Sequence, residues 1–155
     1  MAILSHEYWK KFIEKDKNGK EKGNGREFEK LVRYLLYLMY GKKWREPGGS
    51  HDHNRDFWLH LSDQNLWAEC KNYSNTISMN ILAPTLVMAQ IYEVNEILFF
   101  SRSNINRFAK DKILAYGEKT HKTIRFFDGE NIDELICSYA SKLTARYSPI
   151  KYISS

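Results

Sequence analysis

The sequence predicts an α/β protein whose mixed central sheet is flanked by helices. Three observations predict it. Residues 26–40 carry apolar side chains at helical spacing. Residues 56–71 alternate apolar and polar side chains as a β-hairpin does. After Lys71, helix and strand patterns alternate, which implies right-handed parallel crossovers. A hairpin that feeds parallel units gives a mixed sheet with helices on both sides.

The predicted order is α-α-β-β-β-α-β-α-β-α. Residues 5–16 (SHEYWKKFIEKD) read as a short helix with Tyr8, Trp9, Phe12 and Ile13 inward, and KNGKEKGNG as a polar, Gly-rich loop. The helix at 26–40 turns Phe28, Leu31, Val32, Leu35, Leu36 and Met39 to one side, and Gly41 stops it. Lys42, Lys43, Trp44 and Arg45 form a basic strand or loop that ends at Pro47-Gly48-Gly49.

The hairpin is DFWLHL, SDQN, LWAECK. With SDQN as the loop, Leu61 faces Leu66. Phe57, Leu59, Leu61, Leu66, Ala68 and Cys70 then share one face, and Asp56, Trp58, His60, Trp67, Glu69 and Lys71 the other. Residues 80–95 predict a helix whose regular part begins near Ala83, because Pro84 suits a first turn. The run 97–100 (ILFF) predicts a strand covered on both faces. Residues 104–116 predict a helix ended by Gly117, and 123–127 a strand followed by an Asp128-Gly129 turn. Residues 131–144 predict a last helix with Ile132, Leu135, Ile136, Tyr139 and Leu143 inward.

A chain of 155 residues fits one domain with a sizeable core. Its formal net charge of +5 favours a polyanionic partner. Cys70 and Cys137 lie in apolar segments without a CxxC or a His at metal spacing, which argues against a disulfide framework and for a reducing cytoplasm. The N-terminus has no apolar core of a signal peptide. The longest apolar stretch, residues 31–41, is interrupted by Arg33 and too short for a bilayer, so no membrane partner is expected.

The polar face of the hairpin carries the chemistry. Hydrolysis of a phosphodiester with a hard cation needs carboxylates converging on one point, and Mg²⁺ takes one or two of them and keeps several waters. With SDQN as the loop, Asp56 is opposite Lys71 and Trp58 opposite Glu69. Asp56 and Glu69 become diagonal neighbours with Cα atoms about 7–8 Å apart. Lys71 follows Glu69 by two residues on the same face, within reach of a metal-bound water. The backbone carbonyl of Cys70 lies between them as a further candidate ligand. By pattern alone, such a face is more often a solvated surface with cross-strand opposite charges.

The spacing D-x12-E-x-K at the end of a hairpin, after a helix of form G-x-x-F-E-x-L-V-x-x-L-L, resembles the PD-(D/E)xK nuclease superfamily, closest to its Mrr-like restriction endonuclease branch. The matching residues are Gly25, Phe28, Glu29, Leu31, Val32, Leu35 and Leu36, then Asp52 and Asp56 in HDHNRDF, then Glu69, Cys70 and Lys71 in AECKNY. ILFFSRSNINRFAKDKI and IRFFDGENIDELI resemble the next two strand-helix units, so the resemblance spans about residues 23–140. It implies a restriction-endonuclease-like core with Asp56 and Glu69 as metal ligands, Lys71 as the catalytic lysine, and Glu29 holding the metal through water. Periodicity does not choose Glu29 over Glu27; the family pattern does. The branch often has two glycines between the aspartates matched by Asp52 and Asp56, where this chain has His53-Asn54-Arg55.

Lys42, Lys43, Arg45, His53 and Arg55 are candidate DNA contacts, with Trp44 packing or stacking beside them. Trp58 and Trp67 are read as covered by a neighbouring helix or by the N-terminal segment, and His60 as an exposed strand residue. His51 and His53 lack a third ligand at zinc spacing.

The resemblance thus implies a single nuclease domain over 1–155, with the N-terminal helix and basic loop at 1–22 and the catalytic core at 23–146. It would be a Mg²⁺-dependent endonuclease, with Mn²⁺ as substitute, cutting DNA in restriction or anti-phage defence. The alternatives are a repair nuclease of junction-resolvase type and a non-catalytic nucleic-acid-binding module. Little of the chain is left for reading sequence. That points to a longer parent protein with an NTPase or recognition region, to a partner subunit, or to a homodimer.

Overall fold

The computed structural model describes residues 26–46, 57–71, 73, 75–129 and 131–139. The predicted helix at 5–16, the loop after it and residues 47–56 lie outside them.

Helix α1 (Arg26–Tyr40) has the predicted bounds. Its apolar stripe Phe28, Leu31, Val32, Leu35 and Leu36 is wholly buried. Gly41, at φ 71°, donates its N–H to the Tyr37 carbonyl at 2.8 Å and closes the helix in left-handed conformation. Residues 42–45 are not a full strand: Arg45 alone makes an antiparallel bridge to Trp58.

Strands β1 (Phe57–Leu61) and β2 (Gln64–Lys71) form the hairpin. For the described residues, 57–61 and 64–71, the predicted faces hold, but the pairing is displaced by two residues. Leu59 pairs with Leu66, Leu61 with Gln64, and Trp58 with Trp67 rather than Glu69. The turn is Ser62-Asp63, not SDQN. Gln64 and Asn65 join the ladder, where Asn65 is held on two sides: its side chain hydrogen-bonds the His60 ring, and its N–H donates to the Asn95 side chain at 2.7 Å.

Helix α2 (Met79–Ile91) leads to β3 (Glu96–Ser101), and α3 (Arg107–Thr120) to β4 (Thr123–Phe127), before α4 (Ile132–Ser138). The sheet order is β1-β2-β3-β4, with β2, β3 and β4 parallel. On one face Leu66, Ala68, Cys70, Leu98, Phe100 and Phe127 pack under α1 and α4. On the other, Trp67, Ile97, Phe99 and Ile124 pack under α2 and α3. Both faces are therefore covered, which explains the unbroken apolar run in β3. The rings of Phe99 and Phe126 stack at 5.6 Å, and those of Phe100 and Phe127 at 5.0 Å.

The crossover helices depart from their predicted ends for identifiable reasons. α2 starts at Met79, not near Ala83, and carries Pro84 inside; buried Leu82 and Thr85 hold that turn against the sheet. It stops at Ile91 because Glu93, at φ 54°, takes the left-handed position. The Val94 N–H then returns to the Ala89 carbonyl at 2.9 Å, a Schellman closure. α3 begins later than predicted, with the Asn106 side chain accepting from the Ala109 N–H at 3.1 Å. It runs through Gly117 to Thr120, and His121 at φ 57° is the left-handed residue.

Gly117 is there for closeness, not termination. A Cβ on it would lie 2.9 Å from the Lys122 carbonyl oxygen and 3.0 Å from Ile124 Cδ1. Gly117→Ala should thus reverse the usual gain of a helical alanine and destabilise the fold by about 1–3 kcal/mol. Urea unfolding checks this; a variant as stable as wild type would refute it. Among the described residues no helix is long and apolar enough to cross a membrane.

Candidate active site

Glu69 and Lys71 stand at the carboxyl end of β2, where side chains two apart share a face. Glu69 pairs with Phe99 and Lys71 with Ser101 on the neighbouring parallel strand. The Lys71 Nζ lies 2.8 Å from Glu69 Oε1. Glu69 is only 4% exposed. This removes the reading of a solvated hairpin face, because a carboxylate is costly to bury without a charge or strong hydrogen bonds beside it. Lys71 is partly open to solvent, with 23% of its side chain exposed, so it links the buried acid to the surface. Cys70 points to the opposite face and is buried in the core, as expected. Trp67 is likewise buried, its ring 5.8 Å from that of Tyr92 after α2.

Glu29 reaches the same end of the sheet from another layer. The Tyr40 hydroxyl, at the end of α1, donates to Glu96 Oε2 at 2.8 Å, at the start of β3. Burial and the Glu96 carboxylate push the Tyr40 phenol up to about 12, so it remains a neutral donor. α1 therefore runs with its C-terminus over the starts of the parallel strands and its N-terminus toward their far ends. Glu29 lines a cavity of about 380 Å³ with Lys30, Arg33, Glu46 and Phe57. Phe57 pairs with Ala68, next to Glu69. Glu29 thus belongs to the layer over the Cys70 face, whereas Glu69 and Lys71 project to the other.

Asp56, Asp52, His53 and Arg55 lie outside the described residues. Lys42, Lys43 and Arg45 are exposed. Trp44 is fully buried, its ring 5.3 Å from that of Tyr40, so it packs and does not stack on a ligand.

Sequence reasoning missed one charged pair at this end of the sheet. Lys110 Nζ lies 2.8 Å from Asp128 Oδ2, and both residues are buried. Asp128 Oδ2 also accepts the Ile105 N–H at 2.8 Å. The Asp128 N–H donates to Asn131 Oδ1 at 2.8 Å, and Asn131 Nδ2 to the Phe126 carbonyl at 2.9 Å. Together these bonds tie the segment after β3 to the end of β4. The signal was available: Lys110 shares a stripe with buried Ile113 and Gly117, and a lysine there requires a buried anion.

Residues 21–136 match the family model Mrr_cat, restriction endonuclease. The chain belongs to this restriction endonuclease family. The Mrr-like resemblance of the α1 and AECKNY motifs is borne out by that match. Two solved structures share the fold. One is the DNA modification-dependent restriction endonuclease AspBHI, with TM-score 0.57 and 15% identity over 83% of this chain and 36% of that one. The other is MspJI restriction endonuclease in complex with a 27-mer oligonucleotide, with TM-score 0.52 and 14% identity over 73% of this chain and 28% of that one. The restriction endonuclease domain described here thus spans about a third of the length of these structures. No curated protein matches the sequence.

Proposed function

We propose that this domain is a Mg²⁺-dependent endodeoxyribonuclease acting in restriction or anti-phage defence. The observation that carries the proposal is the buried Glu69 carboxylate with the Lys71 ammonium 2.8 Å away at the end of β2. Membership of the restriction endonuclease family supports DNA as the substrate.

The donor chemistry fits a hard cation. Among the described residues no group of three His, Cys, Asp or Glu side chains gathers as a metal cage. Mg²⁺ needs only one or two carboxylates with waters. Glu69, Asp56 and the Cys70 carbonyl would hold it, with Glu29 acting through water. Asp56 is one peptide bond from Phe57, whose partner Ala68 precedes Glu69. When bound, the ion supplies an acidified water and a Lewis acid for the phosphoryl group. The Lys71 Nζ orients the attacking water and offsets charge developing on the phosphate oxygens. Burial of Glu69 keeps solvent from competing for its carboxylate. Lys42, Lys43, Arg45, His53 and Arg55 contact the DNA backbone. Target recognition resides in a further region of a longer protein or in a partner subunit, and cutting both strands brings two copies together.

The test is incubation of supercoiled plasmid with the purified protein in Mg²⁺, Mn²⁺ or EDTA, with Asp56→Ala in parallel. Nicking by wild type in either metal, absent in EDTA and lost in Asp56→Ala, is the expected result. Equal nicking by both proteins would mean that the site is wrongly assigned.

A further inference from the structure

We propose that the outer side of α1 carries the DNA backbone toward the active site, along a groove formed by Lys30, Arg33, Tyr34, Tyr37 and Lys43. This rests on the nuclease reading above and extends it to the path of the substrate.

Two cavities meet on this helix. The one of about 360 Å³ is lined, among the described residues, by Lys30, Arg33, Tyr34, Tyr37 and Lys43. The other is the cavity that holds Glu29 and Phe57. Both include Lys30 and Arg33, so the two depressions adjoin on this side of the helix. The charge changes from one to the other. The described lining of the outer one has three cations and no acid, whereas the inner one adds Glu29 and Glu46. Glu46 is neutralised by Arg33, so the carboxylate left at the inner end is Glu29, proposed above to hold the metal through water, and a phosphate chain held by the cations would end beside it.

The groove is built, not incidental. Arg33 donates from Nη1 to Glu46 Oε1 at 2.8 Å, and from Nε and Nη2 to the Trp44 carbonyl at 3.3 and 3.2 Å. Trp44 is anchored in the core, so these bonds fix the segment 42–46 alongside α1. Lys43 is thereby held on the same depression as Lys30. Arg33 is a positioning residue, and Lys30 and Lys43 are the phosphate contacts. Tyr34 and Tyr37 stack with ring centroids 6.1 Å apart and bring hydroxyls for further phosphate bonds. Lys30 and Tyr37 are seven helical steps apart, about 10 Å, which matches roughly three phosphate-to-phosphate steps of one strand along a duplex axis.

The test is binding of a fluorescent DNA duplex to the full chain in EDTA, by anisotropy, across a salt series. Lys30→Ala/Lys43→Ala should weaken binding about tenfold or more and lower the slope of log K against log salt by about 2. Lys119→Ala, on α3 over the other face of the sheet, should leave both unchanged. Circular dichroism melting establishes that each variant is folded. Tyr37→Ala should weaken binding without changing the slope. Wild-type affinity and slope in the double variant would overturn the groove, as would an equal loss in Lys119→Ala. Plasmid nicking by wild type in Mg²⁺ or Mn²⁺ separates the two readings. Nicking alongside unaltered binding by the double variant leaves the nuclease and removes the groove. Groove-dependent binding without nicking in either metal removes the nuclease and leaves the groove.

Discussion

Lys71→Ala lowers the rate of plasmid cleavage by about two to four orders of magnitude, the range supplied by one positioned proton-transfer or charge-stabilising group. Lys71 is the cation beside Glu69 and is open enough to meet a phosphate. Its loss removes a charge that acts most strongly where charge develops, so kcat falls more than affinity for DNA. Removing the ammonium also leaves the buried Glu69 without that neighbour, and some loss of stability accompanies the change. Lys71→Met separates the two effects by retaining the apolar stem. It should melt closer to wild type than Lys71→Ala and remain as inactive. The measurement is initial nicking rate at saturating protein with melting temperature in parallel. A folded Lys71→Met that nicks at the wild-type rate would exclude the lysine from the chemistry.

Asp128→Ala unfolds more easily by about 3–5 kcal/mol, the cost of breaking a buried pair by deleting one partner. Asp128 is 0% exposed and Lys110 is 9% exposed. The substitution takes a charged partner from Lys110 and an acceptor from the Ile105 N–H together. That is a large share of the roughly 5–15 kcal/mol that holds a domain together. Lys110→Met in the Asp128→Ala background should recover part of the loss, because no buried ammonium is then left behind. Urea unfolding of the four proteins reads this cycle. A loss below about 1 kcal/mol in Asp128→Ala would show that the pair is not holding the strand ends.

Period and composition carried much of the fold. The bounds of α1 and β4 were readable because each is a clean pattern with a clear stop. The hairpin faces were readable for the same reason: a period of two assigns sides whatever the pairing. Pairing itself was not, since a shift of two residues keeps every side chain on its face, and the bonds of Asn65 to His60 and Asn95 favour the observed one. Helix ends failed where Glu93 and His121 occupy left-handed positions usually held by glycine, and where Gly117 serves packing instead. In the candidate site, parity put Glu69 and Lys71 side by side. The burial of Glu69 was hidden, because it depends on α2 and α3 covering that face. The pair Lys110 and Asp128 was hidden too, since its members come from separate elements.

The two-residue turn Ser62-Asp63 sits at the start of β2, and Lys71 ends that strand. Seven steps along the strand lead from Gln64 to Lys71, about 23 Å. Both turn residues are exposed. A cysteine introduced at Asp63 therefore offers an attachment point for a dye or a surface tether that rides on the rigid sheet while leaving the opposite rim unencumbered. Single molecules immobilised there would present their Lys71 end outward to passing DNA.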